Sequence, residues 1–376
     1  MLVNTPDALQ EMLYRLAAAP AIAVDTESNS LYAYQERVCL IQFSVPGEDY
    51  LVDPLALDDL SALAPLFASP EIEKVFHAAA YDAIVLHRDY GFELNHLFDT
   101  MVASRIVGWS PYGLASLLEE QFGVHTDKRV QRTNWGRRPL TEDQLEYARI
   151  DTHYLLSLRD KLRGELEAQE RMEEARAAFE RVTEARWTKQ GFDPSGFWRV
   201  KGARDLNDQE LAVLRELYLY RDHRAQELDR PPFKVLAEGV LVRLSQEMPS
   251  SYAELGRITG IPRRLPSRER RNLLQVIEKG LRAPAPVRPE RRGERPDEET
   301  IDRYEALRDW RRERARKRGV EPDVILPNRT LHAIANENPT STQALADVEA
   351  LNDWERDEYG RELLGLLRRY ARIRAH

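Results

Sequence analysis

Residues 217 to 255 and 307 to 345 share one register. Leu217, Arg221, Arg224, Ala225, Pro232, Leu236, Leu241, Glu247, Pro249, Ser251 and Leu255 recur 90 positions later, without a gap, as Leu307, Arg311, Arg314, Ala315, Pro322, Leu326, Leu331, Glu337, Pro339, Ser341 and Leu345. Each copy must therefore fold into the same small unit, and two copies are too few to bury the continuous core of a solenoid. The tail of the chain reads as two tandem helical domains of roughly 75 residues each. Between them "RAPAPVRPERRGERPDEE" (282–299), rich in Pro, Arg and Glu, reads as an exposed linker.

Upstream the pattern changes. β-rich runs at "AIAVDTE" (21–27), "VCLIQFSV" (38–45) and "DYLVDP" (49–54) follow closely, as in a meander of three strands. "LDDLSALAPLFAS" has helical spacing, "KVFHA" (74–78) reads as a buried strand, and "DAIVLHRDYG" as a helix stopped by Gly91. Further helices fit "TMVASRIVG" and "GLASLLEEQFG", and one long helix is expected from about Thr141 to beyond Leu162, with Thr141 and Gln144 at capping-box spacing. Strand signals vanish after about Glu165, and an aromatic- and Gly-containing connector (186–207) leads into the repeats.

Two carboxylates, Asp25 and Glu27, end the first strand, where a period of two puts both on one face. Side by side they repel unless a cation or basic partner compensates. Asp-x-Glu alone is a common chance pattern, and Asp82 alone would serve as an acid opening a helix. Tyr147 and Asp151, four apart, share one helix face but could equally be a surface aromatic and a solvated acid. The order of the set gives it weight: a strand Asp-x-Glu, a later lone Asp, then a helical Tyr-x-x-x-Asp.

The net charge of -8 argues at first against a nucleic-acid partner. Its distribution does not. Residues 1–160 carry 24 Asp/Glu against 12 Lys/Arg, whereas residues 161–376 carry 39 against 43. An acidic first part suits cation binding and a mildly basic remainder suits phosphate, although both could be ordinary solvated surface. The single cysteine, Cys39, excludes a disulfide framework and a Cys-rich zinc site and fits a reducing, cytoplasmic compartment. No signal-peptide pattern and no membrane-spanning apolar run is expected.

The runs "VDTESNSLYAYQERVCLIQFS", "VFHAAAYDAIVL", "LFDTMVASRIVG" and "NWGRRPLTEDQLEYARIDTHYLL" resemble the exonuclease motifs of the tyrosine-containing branch of the DEDD superfamily, with ribonuclease D the nearest likeness. The two repeats look like the HRDC domains that follow the nuclease in that family. The resemblance implies an α/β ribonuclease-H-like exonuclease domain, a mixed sheet flanked by helices, followed by two all-α HRDC domains. The expected division is 1–170 for the nuclease, 171–207 for a connector, 208–283 for the first HRDC domain, 284–299 for a linker and 300–376 for a second, divergent copy. It also implies 3′→5′ hydrolysis of RNA to nucleoside 5′-monophosphates, a substrate with a free 3′ end such as a transfer-RNA precursor, and a monomer. Two departures stand out: Ser28 follows Asp-x-Glu where relatives often have an aromatic, and Asp323 and Val324 replace Phe233 and Lys234 in the second repeat.

By the same resemblance Asp25, Glu27, Asp82 and Asp151 are metal ligands and Tyr147 orients the attacking water. Asp25 would bridge two cations, Glu27 and Asp151 stand on the nucleophile side, and Asp82 supports the other ion. Carboxylates suit the task, because two Mg²⁺ or Mn²⁺ ions about 3.5–4 Å apart activate water and stabilise the departing oxygen, and both prefer oxygen donors. The histidines show no zinc-type spacing and read as structural, with His77 a candidate nucleotide contact. The loop "DKRVQRTNWGRRP" mixes basic residues with an aromatic, making Arg129, Arg132, Trp135, Arg137 and Arg138 candidates for tracking a strand. The basic helix 303–319 is either a phosphate contact or a solvated face. Two alternatives remain open: a DNA-directed exonuclease of the same superfamily, and a non-catalytic nucleic-acid-binding scaffold.

Overall fold

The computed structural model of the protein describes residues 1–184, 191–262, 264–288 and 297–374. Residues 185–190 of the expected connector and 289–296 of the expected linker lie outside them.

The chain divides into two compact units. The first comprises Met1–Glu27, Val38–Trp187 and Gly293–His376, the second Ser28–Arg37 and Thr188–Arg292. In the first, β1 (Leu2–Val3), β2 (Ala21–Ser28), β3 (Val38–Val45), β4 (Glu48–Val52), β5 (Glu73–Phe76) and β6 (Leu97–Asp99) form one mixed sheet ordered β1-β4-β3-β2-β5-β6. β3 runs antiparallel to β4, whereas β5 is parallel to both β2 and β6. β2 thus lies inside the sheet, and Ala21, Ile22, Ala23 and Val24 are all buried, the continuous apolar run of a strand covered on both faces. β1 and β6, two and three residues long, carry no periodicity and give no signal in the sequence.

Helices follow the expected punctuation. α1 (Pro6–Ala17) starts at a Thr5 cap, α2 (Ala64–Ala68) is short, α3 (Ala80–Tyr90) ends at left-handed Gly91, and α4 (Thr100–Val107) ends at left-handed Gly108. α5 (Leu114–Phe122) and the four-residue α6 (Lys128–Gln131) lead to α7 (Glu142–His153), which begins with the capping box of Thr141 and Gln144. The expected single long helix is corrected to two: α7 stops at His153 and α8 (Leu155–Ala168) restarts beyond Tyr154. The Thr152 and His153 side chains turn to Ser44 and Asp49 on the sheet, anchoring α7, while Leu155, Leu158, Leu162 and Leu166 bury α8 in the main core.

α9 (Met172–Thr183) closes the nuclease part of this unit. The second repeat belongs to the same unit. Its first helix, α15 (Glu298–Arg318), is followed by the short α16 (Pro322–Ile325), α17 (Asn328–Glu337), α18 (Thr342–Ala346) and α19 (Asp353–Arg374). Arg318 makes a double hydrogen bond to buried Glu174, Arg181 donates to Glu355, and Arg105 donates to Glu321 and both oxygens of Asp323. Val324 packs against the nuclease core. A side chain at Gly108 would stand 3.1 Å from the Gly319 carbonyl, so the close approach needs glycine as well as its left-handed backbone. The two divergent positions therefore have a structural use: Asp323 and Val324 hold the second repeat to the nuclease, where the first repeat keeps Phe233 and Lys234.

The second unit contains the first repeat, α10 (Asp208–Glu227), α11 (Pro232–Val235), α12 (Glu238–Glu247), α13 (Tyr252–Leu255) and α14 (Ser267–Arg282), around Leu214, Leu217, Leu241, Leu244, Leu273 and Ile277. The loop after β2 packs here: the Tyr34 hydroxyl donates to Asp222, and the Lys234 ammonium lies 3.8 Å from the centre of the Tyr32 ring. The repeated residues do the same work in both copies. Buried Arg221 and Arg311 donate to the Leu236 and Leu326 carbonyls, and Ser251 and Ser341 accept from Glu254 and Ala344 amides as helix caps. The basic helix α15 is largely self-neutralised, with Arg308, Arg312, Arg314, Arg316 and Lys317 all paired to carboxylates, which favours the solvated-face reading over phosphate contact.

Candidate active site

Strand β2 carries Asp25 and Glu27 at its C-terminal end, and α7 brings Asp151 against them. Carboxylate oxygens of the three lie within 4.8 Å of one another. Parallel pairing of Ala21, Ile22 and Ala23 with Glu73, Lys74 and Val75 makes β2 and β5 emerge on the same side of the sheet. The chain leaves β5 through His77–Ala79 and enters α3, whose first turn holds Asp82. Asp82 stands outside the group of three but is tied to it: the Thr26 hydroxyl, between the two strand acids, donates to Asp82 Oδ1 at 2.5 Å. Tyr147 stands one turn from Asp151 on α7, its hydroxyl close enough to the carboxylate to act on its titration.

Glu27, Asp82 and Asp151 are 8 %, 6 % and 7 % exposed. Burial pushes Asp82 up to about 7 against the opposing Thr26 hydrogen bond, and pushes Asp151 up to about 7 against that of Tyr147. Asp25 and Glu27 are also raised, first by burial, then by neighbouring carboxylates: Asp82, Asp151 and Glu27 act on Asp25, and Asp151 and Asp82 on Glu27. Tyr147 is held above the usual phenol range by burial and by the three nearby acids, so it acts as a neutral donor. Three carboxylates gathered at this cost, with a fourth tied in beside them, suit a hard divalent cation, whose charge would offset these repulsions.

The remaining candidates separate. His77 is half-buried, and burial lowers it to about 4, so it is neutral at physiological pH. Thr100 Oγ1 donates to the Phe76 carbonyl, so at 2.9 Å it accepts from His77 Nδ1–H, which leaves Nε2 as an acceptor. Arg129, Arg132 and Arg137 are exposed. Trp135 is 1 % exposed, packed with Cys39, Leu40 and Ala148, and is corrected from a base-stacking candidate to a core residue behind Tyr147. Arg138 is likewise structural: it chelates Asp53 at 2.6 Å and donates to the Cys39 and Trp135 carbonyls. His87, His96, His125 and His153 pair with Glu93, Glu73, Glu119 and Asp49, in keeping with structural roles. Sequence reasoning missed Thr26, Asp99 and Thr100. An Asp-Thr pair opening an apolar helix is a cap signal, but nothing in the sequence says that Thr26 reaches Asp82.

Residues 1–167 match the 3′-5′ exonuclease family, and residues 210–277 and 301–367 each match the HRDC domain. The chain joins a DEDD 3′→5′ exonuclease domain to two HRDC domains. This exonuclease–HRDC chain is 36 % identical over 279 residues to Protein RRP6-like 3 of Arabidopsis thaliana, a match covering 67 % of this chain and 31 % of that protein. It is 28 % identical over 368 residues to ribonuclease D of Nitrobacter hamburgensis, covering 97 % and 94 %. Among solved structures, Escherichia coli RNase D, described as an exoribonuclease involved in structured RNA processing, matches with TM-score 0.65 and 28 % identity over 98 % of this chain and 99 % of that one. The chain spans about a third of the length of Protein RRP6-like 3 and Protein RRP6-like 2 of Arabidopsis thaliana. Exonucleases of the DEDD family use divalent metals, in accord with the carboxylate cluster.

The cost of gathering these carboxylates should show in the stability of the exonuclease domain. Acids whose folded pKa is raised bind more protons folded than unfolded between the ordinary carboxylate value near 4 and the raised value. Stability contributed by Asp82 and Asp151 is thus present below that window and lost as pH rises through it to about 7. Without divalent cation, thermal melts should show a stability lower at pH 8 than at pH 5 by on the order of a few kcal/mol, and Mg²⁺ should remove most of the difference. An unchanged difference on adding Mg²⁺ would contradict the assignment.

Proposed function

We propose that the chain is a metal-dependent 3′→5′ exoribonuclease of the ribonuclease D type. Asp25, Glu27, Asp82 and Asp151 hold two divalent cations, Mg²⁺ or Mn²⁺, and Tyr147 orients the attacking water. The observation that carries this reading is the convergence of Asp25, Glu27 and Asp151 within 4.8 Å, with Asp82 tied in through Thr26. When bound, the cations supply Lewis acidity and neutralise the charge that develops on the phosphate and on the departing sugar oxygen.

The chain's own groups do the rest. The three clustered carboxylates would hold one cation together, and Asp82, held to the side by Thr26, would hold the second with Asp25. Tyr147 keeps its proton and holds the water by hydrogen bond. Neutral His77 offers Nε2 to a nucleotide hydroxyl rather than a charge to phosphate, and the exposed Arg129, Arg132 and Arg137 meet the strand's backbone. Tyr147→Phe should slow hydrolysis by about tenfold to a hundredfold with the affinity for RNA unchanged, measured by single-turnover kinetics. Wild-type rates would remove Tyr147 from the mechanism.

The near full-length likeness to ribonuclease D of N. hamburgensis supports RNA as the substrate; transfer-RNA precursors as the processed class and a cytoplasmic monomer as the working form belong to the proposal alone. Among the described residues no helix is long and apolar enough to cross a membrane. The test is digestion of 3′-labelled and 5′-labelled RNA and DNA with and without Mg²⁺. Mononucleotides released from the 3′ end of RNA only with metal are expected. Release from the 5′ end, or without metal, overturns the reading, and a preference for DNA moves it to the alternative substrate.

A further inference from the structure

One buried acid beside the carboxylate cluster makes more backbone hydrogen bonds than a helix cap requires. Asp99, 1 % exposed, caps α4 by accepting from the Met101 and Val102 amides at 2.9 and 3.1 Å, both through Oδ1. It also accepts from the Ala78 amide at 3.1 Å and, through Oδ2, from the Ala79 amide at 2.8 Å. Capping needs one acceptor oxygen. The second goes to a turn in which Ala78 has φ 65°, a left-handed conformation that a residue with a Cβ rarely adopts and that relaxes unless held. The adjacent Thr100 grips the same turn, donating to the Phe76 carbonyl at 3.0 Å and accepting from His77. Helix α3 starts at Ala80, directly after the clamped amides, and Asp82 lies in its first turn.

We propose that Asp99 is a positioning residue for Asp82. By clamping the Ala78–Ala79 turn it fixes the point from which α3 departs, and so sets where the Asp82 carboxylate stands relative to Asp25. Thr26 restrains the carboxylate itself, and Asp99 restrains the backbone that carries it. The inference rests on the metal site proposed above. Its consequence is selective: loss of the clamp weakens the cation that Asp82 serves and leaves the Asp25, Glu27 and Asp151 group in place.

Asp99→Ser separates the two jobs of the side chain, because serine caps a helix well but is one atom too short and has one acceptor too few to hold Ala79 as well. Asp99→Asn does so differently, keeping one oxygen and presenting N–H groups to the amide that Oδ2 now accepts from. With the full chain, Mn²⁺ binding is followed by calorimetry, and hydrolysis by its Mg²⁺ dependence. The wild type is expected to bind two Mn²⁺ ions. In both variants one of the two binding steps should weaken by about tenfold to a hundredfold, the Mg²⁺ needed for half-maximal rate should rise in parallel, and kcat at saturating Mg²⁺ should return to within a few-fold of wild type. A folded Asp99→Ser protein with wild-type Mn²⁺ binding and Mg²⁺ dependence overturns the clamp, as does a loss of rate that saturating Mg²⁺ does not restore. If Asp99→Ser is recovered unfolded, Asp99→Asn decides by the same criteria. Absence of Mn²⁺ binding by the wild type overturns the metal site itself, a failure distinct from wild-type behaviour in the variants.

Discussion

Asp25→Asn will abolish metal-dependent hydrolysis while making the metal-free protein harder to melt. Asp25 lies within 4.8 Å of Glu27 and Asp151 and is held well above the ordinary carboxylate range by burial and by three neighbouring acids. Without metal its ionised form is a liability to the fold at pH 8. Asparagine keeps the shape and removes one charge from a repelling set, so the gain should be about 1–2 kcal/mol, or a few degrees in Tm, in a buffer containing EDTA. The same change removes the ligand shared between the proposed cations. Hydrolysis should fall at least about a thousandfold, the loss of several kcal/mol of charge stabilisation. A metal-free Tm below wild type would mean that Asp25 supports the fold by contacts other than those described. Retained hydrolysis would sink the site.

Arg318→Ala should cost stability on the scale of a buried unpaired charge. Glu174 is 4 % exposed and takes both of its short contacts, at 2.7 Å, from Arg318, with Arg171 farther off at 3.5 Å. Removing the guanidinium strands the carboxylate, a loss of about 3–5 kcal/mol and on the order of ten degrees in Tm. The pH dependence has a definite sign. Burial already raises Glu174 and Arg318 opposes it, so loss of Arg318 raises that carboxyl further. The penalty is then greatest near pH 8 and shrinks as pH falls toward 5 and Glu174 takes up a proton. The double variant Arg318→Met with Glu174→Leu should recover most of the loss by replacing the pair with apolar contact. A shift of under two degrees at pH 8 for Arg318→Ala would show that the pair contributes little.

The carboxylates were readable because strand and helix periods are short-range rules. A spacing of two puts Asp25 and Glu27 on one face and a spacing of four stacks Tyr147 and Asp151, whatever the tertiary fold. The duplicated register was readable because Leu217 and Leu307 fill equivalent cores, and Ser251 and Ser341 cap equivalent helices. What was misread depended on long-range contact. An aromatic among arginines looks the same in sequence whether it stacks on bases or, as Trp135 does, fills the space behind Tyr147. Arg138 looks free until Asp53, 85 residues away, is seen to accept from it through both carboxylate oxygens at 2.6 Å. The end of α7 at His153 depends on Ser44 and Asp49 of the sheet, and Thr26 alternates away from its acidic neighbours yet supplies the bond to Asp82. The exchange of Phe233 and Lys234 for Asp323 and Val324 was visible as divergence, but its meaning required Arg105 and the nuclease core.

The first unit draws its residues from both sides of the second, and that imposes an order on synthesis. The nuclease segment up to Trp187 leaves the ribosome before Thr188–Arg292, and only then does the segment that supplies Arg318 and Val324 follow. At about 5–20 residues per second, the hundred or so intervening residues take roughly 5–20 s. Throughout that interval Glu174 lacks Arg318, Arg181 lacks Glu355, and the patch that receives Val324 faces water. Each newly made nuclease domain thus passes through a period as an unfinished surface open to chaperones, proteases and neighbouring nascent chains.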